Sequence, residues 1–272
     1  MSGSKAGNMD IIKYPRTRHL RGSRLQHGNE DLEIVPVDSL IGRHVVVEEK
    51  QDGANTGISF DSAGKLHLQS RGHFLQGGPR ERQFALFKQW ATTHADALRE
   101  VLADRYIAYG EWMFSKHTVF YDALTHYWME FDVLDKTRST PGRPVFLDTP
   151  ARAALLKDLP IKPVQVIWSG TVDRKTDLPA MIGPSVFITK HHGESLRLAC
   201  EQSGQDFERV KNETDMTGLM EGLYIKVEHN GVVVDRYKLV RADFVSQITD
   251  GEEHHLNRPI VPNRLAPGVE LF

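Results

Sequence analysis

The 272-residue chain has a single cysteine, Cys200. No internal disulfide can form, and no cysteine-rich zinc site can be built. That suits a reducing, cytoplasmic setting. No apolar run approaches the length of a membrane span. The first ten residues are polar and small and hold no hydrophobic segment, so they do not read as a signal peptide; a flexible lead over residues 1–12 is expected. A charge excess is missing too: 34 Lys and Arg against 36 Asp and Glu leave a net charge of −2. The molecule as a whole is therefore no electrostatic glue for nucleic acid, and any basic surface must be local. Internal repeats and low-complexity segments are absent. What remains is an ordinary globular balance, 40% hydrophobic and 26% charged, in a chain long enough to bury a real core.

Periodicity divides this chain into short strands and helices. Segments 45–49, 56–60 and 65–70 read as three strands of an antiparallel meander, linked by Asp52-Gly53 and Ala63-Gly64 turns. Segments 81–92 and 94–102 read as helices, and 106–113 and 127–134 as buried strands. Pro150 after Asp148-Thr149 is a helix start. A strand is expected at 164–168 and helices at 194–202 and 207–214. Strands 220–228 and 232–240 flank Asn230-Gly231, the strongest short hairpin signal. Hairpins interleaved with helices give an α+β class.

Lys50 closes the β-branched strand that begins at Val45 and is followed by Gln51-Asp52-Gly53. A lysine on so rigid a mount is a candidate nucleophile, though at its ordinary pKa of about 10.4 it must first lose a proton. Asp52 and Asn55 sit on the expected turn beside it, where both residue types are also simply good turn formers. Upstream, Arg16, Arg18, Arg21 and Arg24, with His19 and His27, form a basic run over 14–27 without an acidic residue, able to hold phosphates or to be a solvated loop. Lys116 and His117 fall in a loop that could touch RNA. The pairs His191-His192 and His254-His255 do not read as a metal site, since neighbours on a strand point opposite ways and no third ligand is suitably spaced.

Six short motifs then occur in one order. Lys50-Gln51-Asp52-Gly53 resembles motif I of the covalent nucleotidyltransferases: DNA ligases, RNA ligases and capping enzymes. Ser70-Arg71-Gly72 resembles motif Ia, Tyr109-Gly110-Glu111 motif III, and the segment from Glu130 to Asp135 motif IIIa. Glu221-Gly222-Leu223-Tyr224-Ile225-Lys226 is similar to motif IV, and Arg236-Tyr237-Lys238 to motif V, which more often reads Lys-x-Lys. Each string is weak alone, but six in fixed order from Lys50 to Lys238 are specific. The nearest branch is similar to ATP-dependent RNA ligases of the nick-sealing phage type.

The resemblance implies a nucleotidyltransferase fold of two antiparallel sheets flanked by helices, with ATP between them. It implies an adenylyltransferase domain over 13–248, a short C-terminal tail over 249–272, and no OB-fold domain, for which too few residues follow motif V. The chemistry it implies is attack of Lys50 on the ATP α-phosphate, passage of AMP to a 5′-phosphate end, and sealing by a 3′-hydroxyl. In that scheme Lys50, Glu221, Arg236 and Lys238 are catalytic. Glu49, Asp52, Asn55, Arg71, Glu111, Phe131 and Lys226 hold the nucleotide: Phe131 stacks on adenine, Glu111 meets the ribose, and Glu49 reads the base edge. Glu221 and Asp52 ligate Mg2+ or Mn2+. Arg16, Arg18, Arg21, Arg24 and Lys116 contact nucleic acid. Lys238 is expected to serve every step, and Arg236 mainly the step with ATP; Arg241 is a further basic candidate. The implied partner is RNA with 5′-phosphate and 3′-hydroxyl ends in a nicked duplex, prepared by an end-healing kinase or phosphatase. A DNA ligase, a capping-type guanylyltransferase and a non-catalytic RNA-binding module remain as alternatives.

Overall fold

The computed structural model describes residues 10–25, 32–244 and 260–272. Residues 1–9, His27, the His254-His255 pair and the 248/249 boundary lie outside the described residues. In chain order the strands are β1 (Arg18–Leu20), β2 (Ile34–Val35), β3 (His44–Lys50), β4 (Ala54–Phe60), β5 (Leu66–Ser70), β6 (Tyr106–Trp112), β7 (Trp128–Asp135), β8 (Phe146–Leu147), β9 (Lys162–Pro163), β10 (Val166–Thr171), β11 (Gly222–His229) and β12 (Val232–Val240). The helices are α1 (Ala85–Thr93), α2 (Ala95–Leu102), α3 (Thr149–Leu156), α4 (His192–Ser203) and α5 (Phe207–Asn212). A 3-10 turn over Pro79–Phe84 occupies the first part of the helix expected from residue 81. The Asp148 carboxylate caps α3 by accepting the Ala151 N–H at 3.0 Å.

The strands form two antiparallel halves, β10-β3-β11-β12 and β7-β6-β4-β5, and the short β8 pairs with both β12 and β7. β1 joins β12 in parallel and carries β2 at its side, while β9 lies parallel to β7. Apolar alternation explains the layering. α1 and α2 lay Phe87, Trp90, Ala91, Leu98 and Leu102 on Ile58, Phe60, Ala108, Trp112 and Trp128 of the second half. The outer face of the first half buries Val45, Val47, Leu223, Ile225 and Leu239 under Leu20, Leu40 and Leu178. The inner faces meet through Tyr14, Tyr109, Phe131, Phe146 and Tyr224. The C-terminal residues also pack in: the Asn263 side chain donates to the Met113 carbonyl at 2.7 Å and accepts the Tyr121 N–H at 3.0 Å. Among the described residues, no helix is long and apolar enough to cross a membrane.

Asn230-Gly231 is a hairpin turn, with φ of 51° and 81° as a primed turn needs. Asp52-Gly53 is not. β3 pairs with β10 and β11, and β4 with β5 and β6, so the expected meander breaks between β3 and β4. The segment after Lys50 crosses from one half to the other. Its polar groups close other contacts: Asp52 Oδ2 accepts the Thr118 and Val119 N–H groups at 2.7 and 2.8 Å, and the Gly53 N–H reaches Glu111 at 3.0 Å. Glycine is needed here for close approach, because a Cβ on residue 53 would lie 2.7 Å from the Trp112 carbonyl oxygen and from the Met113 sulfur.

Candidate active site between the two sheets

The register of the first half decides what shares a face. Lys50 lies opposite Gly222, Glu48 opposite Tyr224, and Val46 opposite Lys226. Tyr224 and Lys226 in turn face Lys238 and Arg236. Directly paired residues point to the same side, so Lys50, Glu48, Lys226, Arg236 and Lys238 all occupy the inner face. Lys50 Nζ donates to Glu221 Oε2 at 2.6 Å. Burial pulls the Lys50 pKa down, but Glu221, and then Glu111 and Asp52, more than offset it, so the ammonium is held above its ordinary range. Burial pushes Glu221 up to about 7 against the pull of Lys50, and pushes Glu111 up to about 8.

The second half brings its residues to the same gap. Glu111 on β6 lies directly opposite Asn55 on β4, whose Oδ1 is buried without a hydrogen-bond partner among the described residues. Such an atom is costly in a folded chain and fits a place that a polar ligand completes. Phe131 is the extra residue of a β-bulge: Tyr109 faces Asp132 and Gly110 faces Glu130, leaving Phe131 without a partner across the ladder. Its ring is half-buried and meets Tyr14 edge-on at 5.1 Å. Glu49 points away from Lys50, is buried, accepts the Ser185 hydroxyl at 2.6 Å and is pushed up to about 7 by burial.

Deeper on the inner face lies a buried ion network. Glu48 binds Arg152 at 2.8 Å and Lys226 at 2.9 Å; Asp132 has Arg236 at 3.3 Å and Lys226 at 3.6 Å; Glu130 lies 3.4 Å from Arg152. The Phe131 carbonyl accepts from both Arg152 and Lys226. Tyr14 donates to Asp132 at 2.5 Å, and the Arg236 guanidinium lies 4.1 Å from the centre of the Phe146 ring. Lys226 and Arg236 are thus held by protein carboxylates; Lys238 lies two residues along β12, across from Tyr224. Sequence reasoning missed Glu48, Glu130, Arg152, Tyr14 and Tyr224 here. Glu130 and Tyr224 stand inside the motif IIIa and motif IV matches, and Glu48 shares the Lys50 face by the period of two; Arg152 sits on a helix with no motif around it.

The remaining candidates scatter. Arg71 is exposed just past β5. Arg18 is paired with Asp235, far along the chain, at 2.6 Å and with Glu33, just past the basic run, at 3.1 Å. Arg16, Arg21 and Arg24 are exposed, and Arg24 donates to the Ala242 carbonyl at 3.0 Å. Lys116 donates to the His117 and Glu213 carbonyls at 2.8 and 3.1 Å. Arg241 is buried against Asp215 and Asp243. Asp52 has His117 Nδ1 at 3.9 Å, and its N–H donates to the Tyr121 hydroxyl at 3.0 Å. Among the described residues, no three His, Cys, Asp or Glu side chains form a complete metal cage. A metal bound by one or two carboxylates together with substrate phosphates needs no such cage.

A strand-end lysine among carboxylates, in the gap between two antiparallel sheets, defines the nucleotidyltransferase fold. Residues 43–240 match the RNA ligase family model, and the chain belongs to that family. No curated protein sequence matches it significantly. Among solved structures it is similar to a ligand-free point mutant of Naegleria gruberi RNA ligase, with 16% identity, TM-score 0.51, and coverage of 94% of this chain and 62% of that one. A second mutant of the same ligase, solved with ATP and manganese, has 15% identity, TM-score 0.51 and coverage of 89% and 60%. An archaeal ATP-dependent RNA ligase has 16% identity, TM-score 0.47 and coverage of 84% and 48%. The chain spans roughly half to three fifths of the length of these ligases.

Proposed function

We propose that this protein is an ATP-dependent RNA ligase that joins 5′-phosphate and 3′-hydroxyl ends through a covalent Lys50–AMP intermediate and an adenylylated RNA end. The observation that carries the reading is the Lys50 ammonium, 2.6 Å from Glu221 at the mouth of the gap between the sheets, with Lys238 on the same face. Family membership supports it, and so do the ATP and manganese named for a similar ligase.

The chain's own residues divide the work as follows. Lys50 gives its ammonium proton up to water and supplies the nitrogen lone pair that bonds to the α-phosphorus as the bond to pyrophosphate breaks. β3 fixes its line of approach, worth much of the barrier when nucleophile and leaving group must stay in line. Lys238 neutralises charge on the transferred phosphate in all three steps. Glu111 and Asn55 face the sugar, and the Asn55 Oδ1 gains a partner there. Phe131, set outward by its bulge, offers a ring to the adenine, while Glu49, which points away from Lys50 and accepts the Ser185 hydroxyl, is given no contact with the base. Glu221 and Asp52 would hold a divalent metal, which supplies positive charge beside the α-phosphate and offsets the carboxylates that keep Lys50 protonated. Arg236 and Lys226 act through Asp132 and the Phe131 carbonyl, and so position the nucleoside wall. Arg16, Arg21, Arg24 and Arg71 are exposed cations for the RNA backbone. We assign the chain to RNA repair on nicked duplexes in the cytoplasm, downstream of an enzyme that prepares the ends.

The test is incubation with each labelled nucleotide and a divalent metal, then a panel of nicked RNA and DNA substrates. A lysine-linked adduct from ATP, and sealing of RNA nicks, is the expected result. An adduct from GTP alone would make the protein a capping-type enzyme, and no adduct from any nucleotide would remove the catalytic reading.

A further inference from the structure

One buried side chain on the Lys50 face, outside every motif, carries a polar atom that the fold leaves unpaired. His19 is fully buried on β1, which runs parallel to β12 and sets His19 opposite Lys238. Its Nδ1 lies 2.7 Å from Ser23 Oγ, and its Nε2 is buried without a hydrogen-bond partner among the described residues.

The hydrogen bonds around Ser23 assign the tautomer. Ser23 Oγ already accepts the Val240 N–H at 2.9 Å, and among the described residues the only other acceptor for its proton is the Arg24 carbonyl at 3.4 Å. The hydroxyl therefore donates to Nδ1, which leaves the ring proton on Nε2. Burial, then Lys238 and then Lys50, push the His19 pKa down to about 4, so the ring is neutral at working pH. A neutral N–H donor cannot pair with either neighbouring ammonium. It suits an anionic oxygen, and the combination of this donor with Lys238 and Lys50 describes a phosphate.

We propose that His19 is a phosphate-contacting residue of this site: its Nε2–H donates to a non-bridging oxygen of the phosphoryl group that becomes attached to Lys50. This rests on the ligase reading above. The ring keeps its proton throughout. The hydrogen bond strengthens as charge builds on that oxygen, and the phosphate arrives as Lys50 leaves Glu221 to take it up. His19 thus adds a neutral donor to the charge that Lys238 supplies.

The experiment uses the full chain carrying His19→Leu or His19→Gln, with thermal melts beside each assay. Adduct formation is read with ATP and with the two α-thiotriphosphate diastereomers, and sealing is read on a pre-adenylated nick. His19→Leu should slow adduct formation about 10²-fold, the usual effect of removing one such donor. It should also erase discrimination between the thio diastereomers, because sulfur accepts hydrogen bonds poorly. His19→Gln, which keeps an amide donor, should recover part of the rate with a pH profile parallel to wild type. A wild-type rate in His19→Leu would overturn the proposal. So would a His19→Gln variant that folds but is slow with unchanged thio discrimination, which also decides the matter if the leucine variant does not fold. If wild type forms no adduct at all, the ligase reading falls and takes this inference with it; if wild type forms the adduct and the His19 variants match it, only this inference falls.

Discussion

Two clusters share the inner face of β3, β11 and β12, only two residues apart on each strand, and they are built to opposite ends. At the Glu48–Lys226–Arg236 end, carboxylates and cations stand within ion-pair distance of one another. Asp132, although burial alone would raise it, is held below its ordinary range by Lys226, then Arg236 and Arg152. Only the outlying Glu130 is pushed up, to about 7, by burial. At the Lys50–Lys238 end, the Glu111 carboxyl is pushed up to about 8 and an Asn55 oxygen has no partner among the described residues. Each cluster keeps buried atoms without a hydrogen-bond partner among the described residues, Glu48 Oε2, Asp132 Oδ1 and Arg236 Nε in the first and Asn55 Oδ1 in the second. What separates them is charge: Lys226 stands between Glu48 and Asp132 in the first, whereas burial raises both Glu111 and Glu221 in the second.

The sharpest break in this comparison is Lys50→Arg, which keeps the charge beside Glu221 but removes the nucleophile. Adduct formation should fall by on the order of 10³-fold or more while the melting temperature stays near wild type. A surviving adduct, mapped by mass spectrometry to another lysine, would move the site. Next in size is Arg152→Met, which strands Glu48 and Glu130 without their shared cation. Stability should drop by about 3–5 kcal/mol in denaturant unfolding, the usual cost of breaking a buried ion pair from one side.

Lys238→Ala and Arg236→Ala then test the boundary between the clusters. Losing Lys238 should raise the barrier by about 2.7–4 kcal/mol both with ATP and with a pre-adenylated nick. Losing Arg236 should instead lower stability and weaken ATP use, with partial rescue on the pre-adenylated nick. Equal rates for Lys238→Ala and wild type on that nick would place Lys238 with the structural cluster. Phe131→Leu should weaken ATP binding by about 1–3 kcal/mol with little change in folding; unchanged affinity would return the ring to the core.

The smallest effect is a pH slope. A carboxyl whose folded pKa is raised keeps its proton in the native state after the unfolded chain has released it. Stability therefore falls as pH rises from the ordinary glutamate value toward the folded one. For Glu111 that window runs up to about 8, and Glu221 and Glu49, both near 7, act in the same direction. The ligand-free protein should melt at a lower temperature at pH 8 than at pH 5. Glu111→Gln should flatten part of that slope, at about 2–4 °C per kcal/mol. A slope unchanged by the substitution would show that Glu111 is not the perturbed group.

Local sequence determined a good deal. Alternation placed β6, β7 and β12, the Asn230-Gly231 dipeptide set its hairpin, and β-branched residues mounted Lys50 at a strand end. The order of short motifs gave the RNA ligase family. These are properties of a few neighbouring residues, and propensity and spacing carry them. What only tertiary structure decided is how distant segments combine. Asp52-Gly53 reads locally as a hairpin, yet its carboxylate and N–H groups are claimed by Thr118, Val119 and Glu111, so the chain crosses between sheets instead. The basic run looks uniform in sequence, but Asp235 and Glu33 single out Arg18 for structure. Lys226 and Arg236 read from their motifs as site residues, and only the fold brings Glu48 and Asp132 from other strands to hold them. Arg152 gave no local sign, and His19 none beyond its place in the basic run, because their meaning lies in a bulge carbonyl and in a parallel strand pairing. Electrostatic roles depend on which charges come within a few ångströms of each other through a low-dielectric interior, and that distance is fixed by the fold and not by the order of residues along the chain.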